Sequence, residues 1–364
     1  METKNDKNSS VACKFAVISG FLGAGKTTLM MALTRYCSER FGKAAMISND
    51  LWEGVTLADH KLAGLEGCSA QQITGECICF CLDELRERLR GCRDEGCELL
   101  LSDIPGFGVG AQEHVYHGLS RDCPDQVELA PFTVLIEPEQ LALLREGKAG
   151  DMGFILDAQL READLIVLSK CELLSDGERD EALAWLVERY PWTRQLAVSA
   201  KSGAGLEELC LALREGSASL RRPEIDYDAE ELQKAMGSLS EYYLQYRALV
   251  CCEDFDGSAY LLELAEEIRR AIREERAEIP HLKLLAWTPE GDYGKVDLLG
   301  TERPVILTRD FERPCTDLAV LLNASAACPD ETLDRLLGEA VETVSRRYRL
   351  ELSVHRKDHF GLGD

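Results

Sequence analysis

The stretch Gly20-Phe21-Leu22-Gly23-Ala24-Gly25-Lys26-Thr27 decides how the chain folds. The apolar run Phe15-Ala16-Val17-Ile18 before it reads as a buried strand, and Thr28-Leu29-Met30-Met31-Ala32-Leu33 after it reads as a helix. A glycine-rich turn ending in Lys-Thr between a strand and a helix is the setting of a phosphate-binding loop. Gly20, Gly23, Ala24 and Gly25 let the backbone wrap closely around a polyphosphate and present N–H groups at a helix N-terminus. Lys26 is then expected to reach the β- and γ-phosphates, and the Thr27 hydroxyl to ligate Mg²⁺, with Thr28 completing the set.

Working outward, the 364 residues suit two domains or one elaborated domain, and 45% hydrophobic content suits a packed protein. No apolar run reaches the ~18 residues of a membrane span. Met1 to Ser10 is polar with no apolar signal core, so the expected location is the cytoplasm. Acidic residues number 65 against 41 basic ones, a net charge of −24. Such a surface repels a phosphate backbone, so nucleic acid is not an expected partner. Fifteen cysteines in a cytosolic chain read as small core residues or metal ligands before they read as a disulfide framework.

The first half alternates strand-like and helix-like segments, as an open, mostly parallel sheet with helices on both faces does. Further strands are predicted at 44–48, 98–102, 132–136, 165–168 and 195–198, with a closing helix near 206–214. The polar segment from Asn49 to Glu76 reads as a mobile loop. Arg221-Arg222-Pro223-Glu224 reads as a linker, dividing a P-loop NTPase-type α/β domain (1–222) from a smaller α+β domain (223–364). In the second domain, strands at 246–252, 282–285, 295–298 and 318–323 and helices at 259–276 and 330–348 suit a βαββαβ-like sandwich.

Three further pieces fit a nucleotide site. Asp103-Ile104-Pro105-Gly106 ends the third strand, where a carboxylate can hold Mg²⁺ and the Gly106 N–H can sense the γ-phosphate. Ser169-Lys170-Cys171-Glu172 follows the fifth strand and Ser199-Ala200-Lys201 the sixth, the places where GTPases recognise guanine. Glu172 can accept from the base N1–H and N2 amine, the Lys170 stem can stack on the ring, and N–H groups near Ala200 can meet O6. Adenine presents the wrong donors and acceptors, so GTP is favoured over ATP. The alternative is that both segments are ordinary strand-end loops.

With these residues assembled, the first 220 or so positions resemble the CobW-like GTPases, in the group that also contains UreG and HypB. The resemblance rests on Ser19 to Thr28, Asn49-Asp50, Gly75-Glu76-Cys77-Ile78-Cys79-Phe80-Cys81 and Ala163 to Lys170. It implies a metallochaperone GTPase that delivers zinc, cobalt or nickel or serves metallocofactor assembly. It also implies catalysis by Lys26 and Asp103, with Asp50 joining Thr27 and Asp103 around Mg²⁺. The implied partners are a client metalloprotein or a cobalamin-related system, with a homodimer as the expected assembly. The chain departs from the family where Asp103 replaces the usual Glu and Cys77-x-Cys79-x-Cys81 replaces Cys-x-Cys-Cys, and it lacks a His-rich tract.

Cys77, Cys79 and Cys81 suggest a site for Zn²⁺ or Co²⁺, since thiolates favour soft ions. Alternate residues of a strand stand roughly 6–7 Å apart. Sulfurs around one zinc, each bonded at about 2.3 Å, sit about 3.8 Å apart. The three converge only if the backbone turns sharply before the helix that starts at Leu82. The alternative is that Cys79 or Cys81 packs inward as a small apolar residue. His114 and His117, at i and i+3 just beyond Gly106, can share a helix face and lend a metal ligand, the alternative being a solvated face; Cys92, Cys97, Cys251 and Cys252 read as structural. The expected function is a metallochaperone whose GTP hydrolysis couples to metal release. The competing expectation is a regulatory GTPase that gates a cobalamin-dependent enzyme, with structural cysteines.

Overall fold

The structure, a computed structural model, describes residues 13–123, 127–226, 229–250 and 254–363. The chain divides after Tyr227 into two compact units. The first holds β1 (Lys14–Gly20), β2 (Ala44–Asp50), β3 (Ala70–Thr74), β4 (Leu99–Asp103), β5 (Glu128–Leu129), β6 (Thr133–Ile136), β7 (Leu165–Leu168) and β8 (Arg194–Ala197). They form one sheet in the order β3-β2-β4-β1-β6-β7-β8, with β5 beside the start of β1. Every pair is parallel. Almost every residue of β1, β2, β4, β6 and β7 is buried, as continuous apolar runs are when helices cover both faces of a parallel sheet. This is a P-loop NTPase-type α/β fold.

Helices α1 (Lys26–Arg40), α2 (Ala58–Leu65) and α3 (Leu82–Asp94) follow β1, β2 and β3 in turn. The segment 49–76, expected to be a loop, therefore contains a helix and a strand. The reason lies at the sheet edge. Among the described residues β3 pairs only with β2, and its Ala70-Gln71-Gln72 stretch is half-buried, so it never needed an apolar run. Helices Pro138–Arg145, Met152–Glu162 and Asp176–Arg189 were also not anticipated.

β1 has a break in its ladder on one side. It pairs with β5 at Lys14 and Phe15, then with β6 from Ile18 onward. Val17 faces the break, and its N–H donates instead to the buried Tyr116 hydroxyl at 3.0 Å. Tyr116 packs edge-on against Phe132 and at a tilt against Phe15. Tyr116→Phe would orphan a buried backbone donor, at a cost of about 1–3 kcal/mol. Chemical denaturation should show a lower midpoint with an unchanged slope.

The second unit contains β9 (Ser240–Val250), β10 (His281–Trp287), β11 (Tyr293–Leu298), β12 (Ile306–Arg309), β13 (Asp317–Ala326) and β14 (Leu350–Gly361). Its antiparallel sheet runs β12-β11-β10-β13-β9-β14. Helix Gly257–Glu274 joins β9 to β10, and helix Asp330–Arg347 joins β13 to β14. Setting aside the β11–β12 pair leaves a βαββαβ order. Tyr260, Leu261, Leu264, Ala265, Ile268 and Ile272 recur at helical spacing and pack on alternate β9 residues such as Tyr242, Leu244 and Tyr246. The edge strands β12 and β14 are mostly exposed or half-buried, and for that reason carry no apolar signal. Cys251-Cys252, at the end of the predicted strand, and Met1 to Ser10 lie outside the described residues.

Among the described residues no helix is long and apolar enough to cross a membrane. Most described cysteines are free thiols, many of them buried. Cys37 of α1 and Cys210 of helix Leu206–Glu215 differ, being joined by a disulfide across a Cα–Cα distance of 6.7 Å.

Candidate functional site

The phosphate loop leaves β1 at Gly20, whose φ is +135°; a Cβ there would come within 2.5 Å of the Leu135 carbonyl oxygen on β6. Only glycine tolerates both the backbone and the contact. Neighbouring side chains take the loop's carbonyls. Lys26 Nζ donates to Gly20 O at 2.7 Å and to Phe21 O at 3.4 Å. Gln140 Nε2 donates to Leu22 O, and Ser169 Oγ to Ala24 O, each at 2.7 Å. In a planar trans peptide the N–H points opposite to the C=O, so these bonds turn the Gly23 and Gly25 amides the other way. A run of oriented amides ahead of α1 is what an anionic phosphate chain needs. Thr27 is half-buried at the start of α1, and Thr28 is exposed.

Asp103 ends β4 directly beside β1, in register with Ile18. It is almost fully buried, and its Oδ1 accepts the Asn49 N–H at 2.7 Å. Burial, followed by the nearby charges of Asp59 and Asp50, pushes its carboxyl up to about 8, against the pull of Lys26 and the Asn49 N–H. Asp50, at the end of β2, caps the Leu51 N–H at 2.8 Å. Asp103, with Asp50 and Asp59 near enough to raise it and Lys26 near enough to oppose them, offers oxygen donors of the kind that suit a hard divalent cation such as Mg²⁺ once its proton is lost. Gly106 follows in the same loop and lies against Leu22; a Cβ on it would come within 2.9 Å of the Leu22 nitrogen.

The two candidate base-recognition loops come together. The Cys171 N–H donates to Val198 O at 3.3 Å. The buried Ser199 hydroxyl accepts the Ser202 N–H at 3.0 Å. Lys170, in left-handed backbone at φ 51°, has its Cε 3.8 Å from where a Gly25 Cβ would stand. Its Nζ lies 3.4 Å from the buried Glu137 carboxylate. Glu172 and Lys201 are exposed and Ala200 is half-buried. Ser169 thus ties this side of the site to the phosphate loop, as a strand-end hydroxyl can.

The cysteines lie in the turn between β3 and α3. A Phe80 N–H to Cys77 O bond of 2.8 Å closes that turn. The Cys77 and Cys79 sulfurs stand 3.0 Å apart and share a hydrogen bond. That bond holds Cys77 below the usual thiol range, and it raises Cys79 well above it. Cys81 donates instead to Cys77 O at 3.4 Å, and burial pushes its thiol up to about 11. The turn therefore brings two of the three thiols together, closer than the about 3.8 Å of zinc-bound sulfurs. Among the described residues no three His, Cys, Asp or Glu side chains stand grouped as a metal site. His114 and His117 fall in a π-helical segment, Gln112–His117, where i and i+3 do not stack. His114 packs near Phe80, and His117 lies 3.7 Å from Glu113.

The family model for the CobW/HypB/UreG nucleotide-binding domain matches residues 14–196, half of the chain. The chain belongs to that family. It is similar to HypB from Helicobacter pylori in complex with nickel, at 17% identity and a TM-score of 0.41, over 58% of this chain and 92% of that one. It is similar to HypB from Archaeoglobus fulgidus at 20% identity and a TM-score of 0.40, over 57% and 91%. It is also similar to the Zn(II)-bound YjiA GTPase from E. coli, at 14% identity and a TM-score of 0.37, over 90% and 99%.

In this CobW/HypB/UreG member several site residues were invisible to motif reading. Gln140 and Glu137 come from the segment after β6. Gln159 and Glu162 come from helix Met152–Glu162. Gln159 Nε2 holds Gly106 O at 3.0 Å and Gly108 O at 2.9 Å. Glu162, buried, accepts the Gly110 and Gln112 N–H groups. None belongs to a spaced pattern, and the helices that carry them were not anticipated. Asp59 was hidden in the segment expected to be irregular.

Proposed function

We propose that the chain is a GTP-hydrolysing metallochaperone. The observation that carries this is the pairing of the Cys77 and Cys79 thiols beside the nucleotide-site strands, one residue network away from Asp103. The Gly23 and Gly25 amides and Lys26 cradle the polyphosphate. Thr27, Asp50 and Asp103 would hold Mg²⁺, which when bound offsets the charge of the β- and γ-phosphate oxygens. Lys170 stacks on guanine while Glu172 accepts its N1–H and N2 amine, and the backbone by Ser199, Ala200 and Lys201 meets O6. Ser169 locks that loop to the phosphate loop. Gly106 reports the γ-phosphate, and Gln159 holds its loop in place.

Zn²⁺ or Co²⁺ is the cargo, taken by Cys77, Cys79 and Cys81 once the thiol pair parts and Cys81 leaves the Cys77 carbonyl. Residues 1–222 hold the catalytic groups, and residues 223–364 form the platform for a client metalloprotein or a cobalamin-related system. Cys81's bond to a carbonyl favours a second reading, a regulatory GTPase acting as conformational chaperone of a cobalamin-dependent enzyme, with structural cysteines. Calorimetric titration tests both halves of the primary reading. GTP with Mg²⁺ should bind at least about tenfold tighter than ATP, a difference of ~1.4 kcal/mol. Zn²⁺ or Co²⁺ affinity should differ between GTP-analogue and GDP forms. Equal ATP affinity overturns the base assignment, and equal metal affinity favours the second reading.

A further inference from the structure

Asn49 lies just beyond the end of the β2–β4 ladder and in the last pair but one of the β2–β3 ladder. On one side β2 pairs with β4 up to Ile47 and Ser102, and beyond it the Asp103 carboxylate takes the Asn49 N–H at 2.7 Å. On the other side Asn49 pairs with Ile73, the ladder ends one pair later at Asp50 and Thr74, and the Asn49 side chain reaches past that end to Glu76 and Ile78. Its Nδ2 donates to Ile73 O at 3.2 Å and to Glu76 O at 2.8 Å, and its Oδ1 accepts the Ile78 N–H at 3.0 Å. Both amide protons and the oxygen are therefore engaged, in a residue only 4% exposed. Ile78 lies between Cys77 and Cys79. Aspartate would face two carbonyls with oxygens, alanine would reach none of the three partners, and glutamine would overshoot by a methylene.

We propose that Asn49 is the positioning residue that carries the state of Asp103 to the cysteine turn, its backbone held by the carboxylate and its side chain holding the backbone on which Cys77 and Cys79 stand. The inference rests on the metallochaperone reading and deepens it. An Asp103 carboxylate engaged with the nucleotide's Mg²⁺ holds the Asn49 N–H less strongly, so the end of β2 relaxes away from β4. Because the Asn49 side chain is bonded at three points, Glu76 and Ile78 move with it. The spacing of the two thiols then follows the nucleotide.

The test needs no metal. Full-length protein, loaded with Mg²⁺ and either GDP or a non-hydrolysable GTP analogue, is labelled with iodoacetamide, and the rates at Cys77 and Cys79 are read by peptide mass spectrometry. In the wild type the two nucleotide states should differ by about tenfold, within the usual range of coupling between sites. Asn49→Asp, which is nearly isosteric, and Asn49→Ala should bring that ratio close to one while analogue affinity stays near the wild-type value. A parallel Zn²⁺ titration should lose its nucleotide dependence in the same variants. If Asn49→Ala fails to fold, Asn49→Asp carries the test. A variant that keeps the wild-type ratio overturns the role of Asn49 and leaves the metallochaperone reading standing. A ratio of one in the wild type overturns the coupling itself, and the inference with it.

Discussion

Lys26→Ala should lose GTP turnover by at least about a hundred- to a thousandfold, the usual cost of deleting one preorganised charged donor from a reaction centre. The side chain makes bonds of 2.7 Å and 3.4 Å to the Gly20 and Phe21 carbonyls, so its ammonium already lies across the mouth of the loop. Swinging it onto the β- and γ-phosphates exchanges two neutral acceptors for anionic ones, and charge-assisted bonds are about twice as strong. The Lys170 ammonium does not stand in for it, being directed at Glu137. Lys26 is half-buried, so its removal should leave the thermal transition near that of the wild type. Phosphate release and a melting curve measured together check both halves. A folded variant that hydrolyses GTP at the wild-type rate would place the reaction elsewhere.

Replacing Cys77, Cys79 and Cys81 together by serine should weaken Zn²⁺ or Co²⁺ binding by at least about a thousandfold, since soft ions lose their thiolate ligands and gain only neutral hydroxyls. GTP binding should persist, because none of the three sulfurs touches the phosphate loop or the base loops. The pair has a built-in asymmetry. The Cys79 N–H donates to the Cys77 sulfur at 3.5 Å, a backbone donor that favours negative charge on Cys77, so Cys77 should be the first to become a thiolate and meet the ion. Single substitutions should therefore rank Cys77→Ser as the most damaging to the rate of metal capture in stopped-flow measurements. Equal capture by the triple variant and the wild type would make the cysteines a structural clip.

The nucleotide half of the site was legible because its signals are local. A buried strand, a glycine turn and a helix follow one another within residues 15–33, and each announces itself by apolar period or backbone freedom. Asp103 could be placed because the strand before it is an uninterrupted apolar run, Leu99-Leu100-Leu101. The residues that brace the site were not legible, since each acts through a fold-level approach. Gln140 reaches Leu22 across 118 positions, and Ser169, legible only as part of a base loop, reaches Ala24 across 145. β3 and β14 were missed because edge strands need only one apolar face, and β14 carries Arg356-Lys357-Asp358 in its middle. The sharp turn that the cysteine spacing demanded is present. That Cys81 would settle on a carbonyl instead of a sulfur follows from hydrogen-bond competition, which spacing does not encode.

The Cys37–Cys210 bond has a consequence for the topology of the first unit. It spans 173 positions and encloses β2 through β8, so everything in that sheet except β1 lies on a single covalent ring. A protease that cuts once in the exposed stretches of that ring opens it without releasing a fragment. The severed halves should migrate as one species on a non-reducing gel and as two after dithiothreitol. The phosphate-loop helix is thereby tethered to the last helix of the unit, whatever happens to the chain between them.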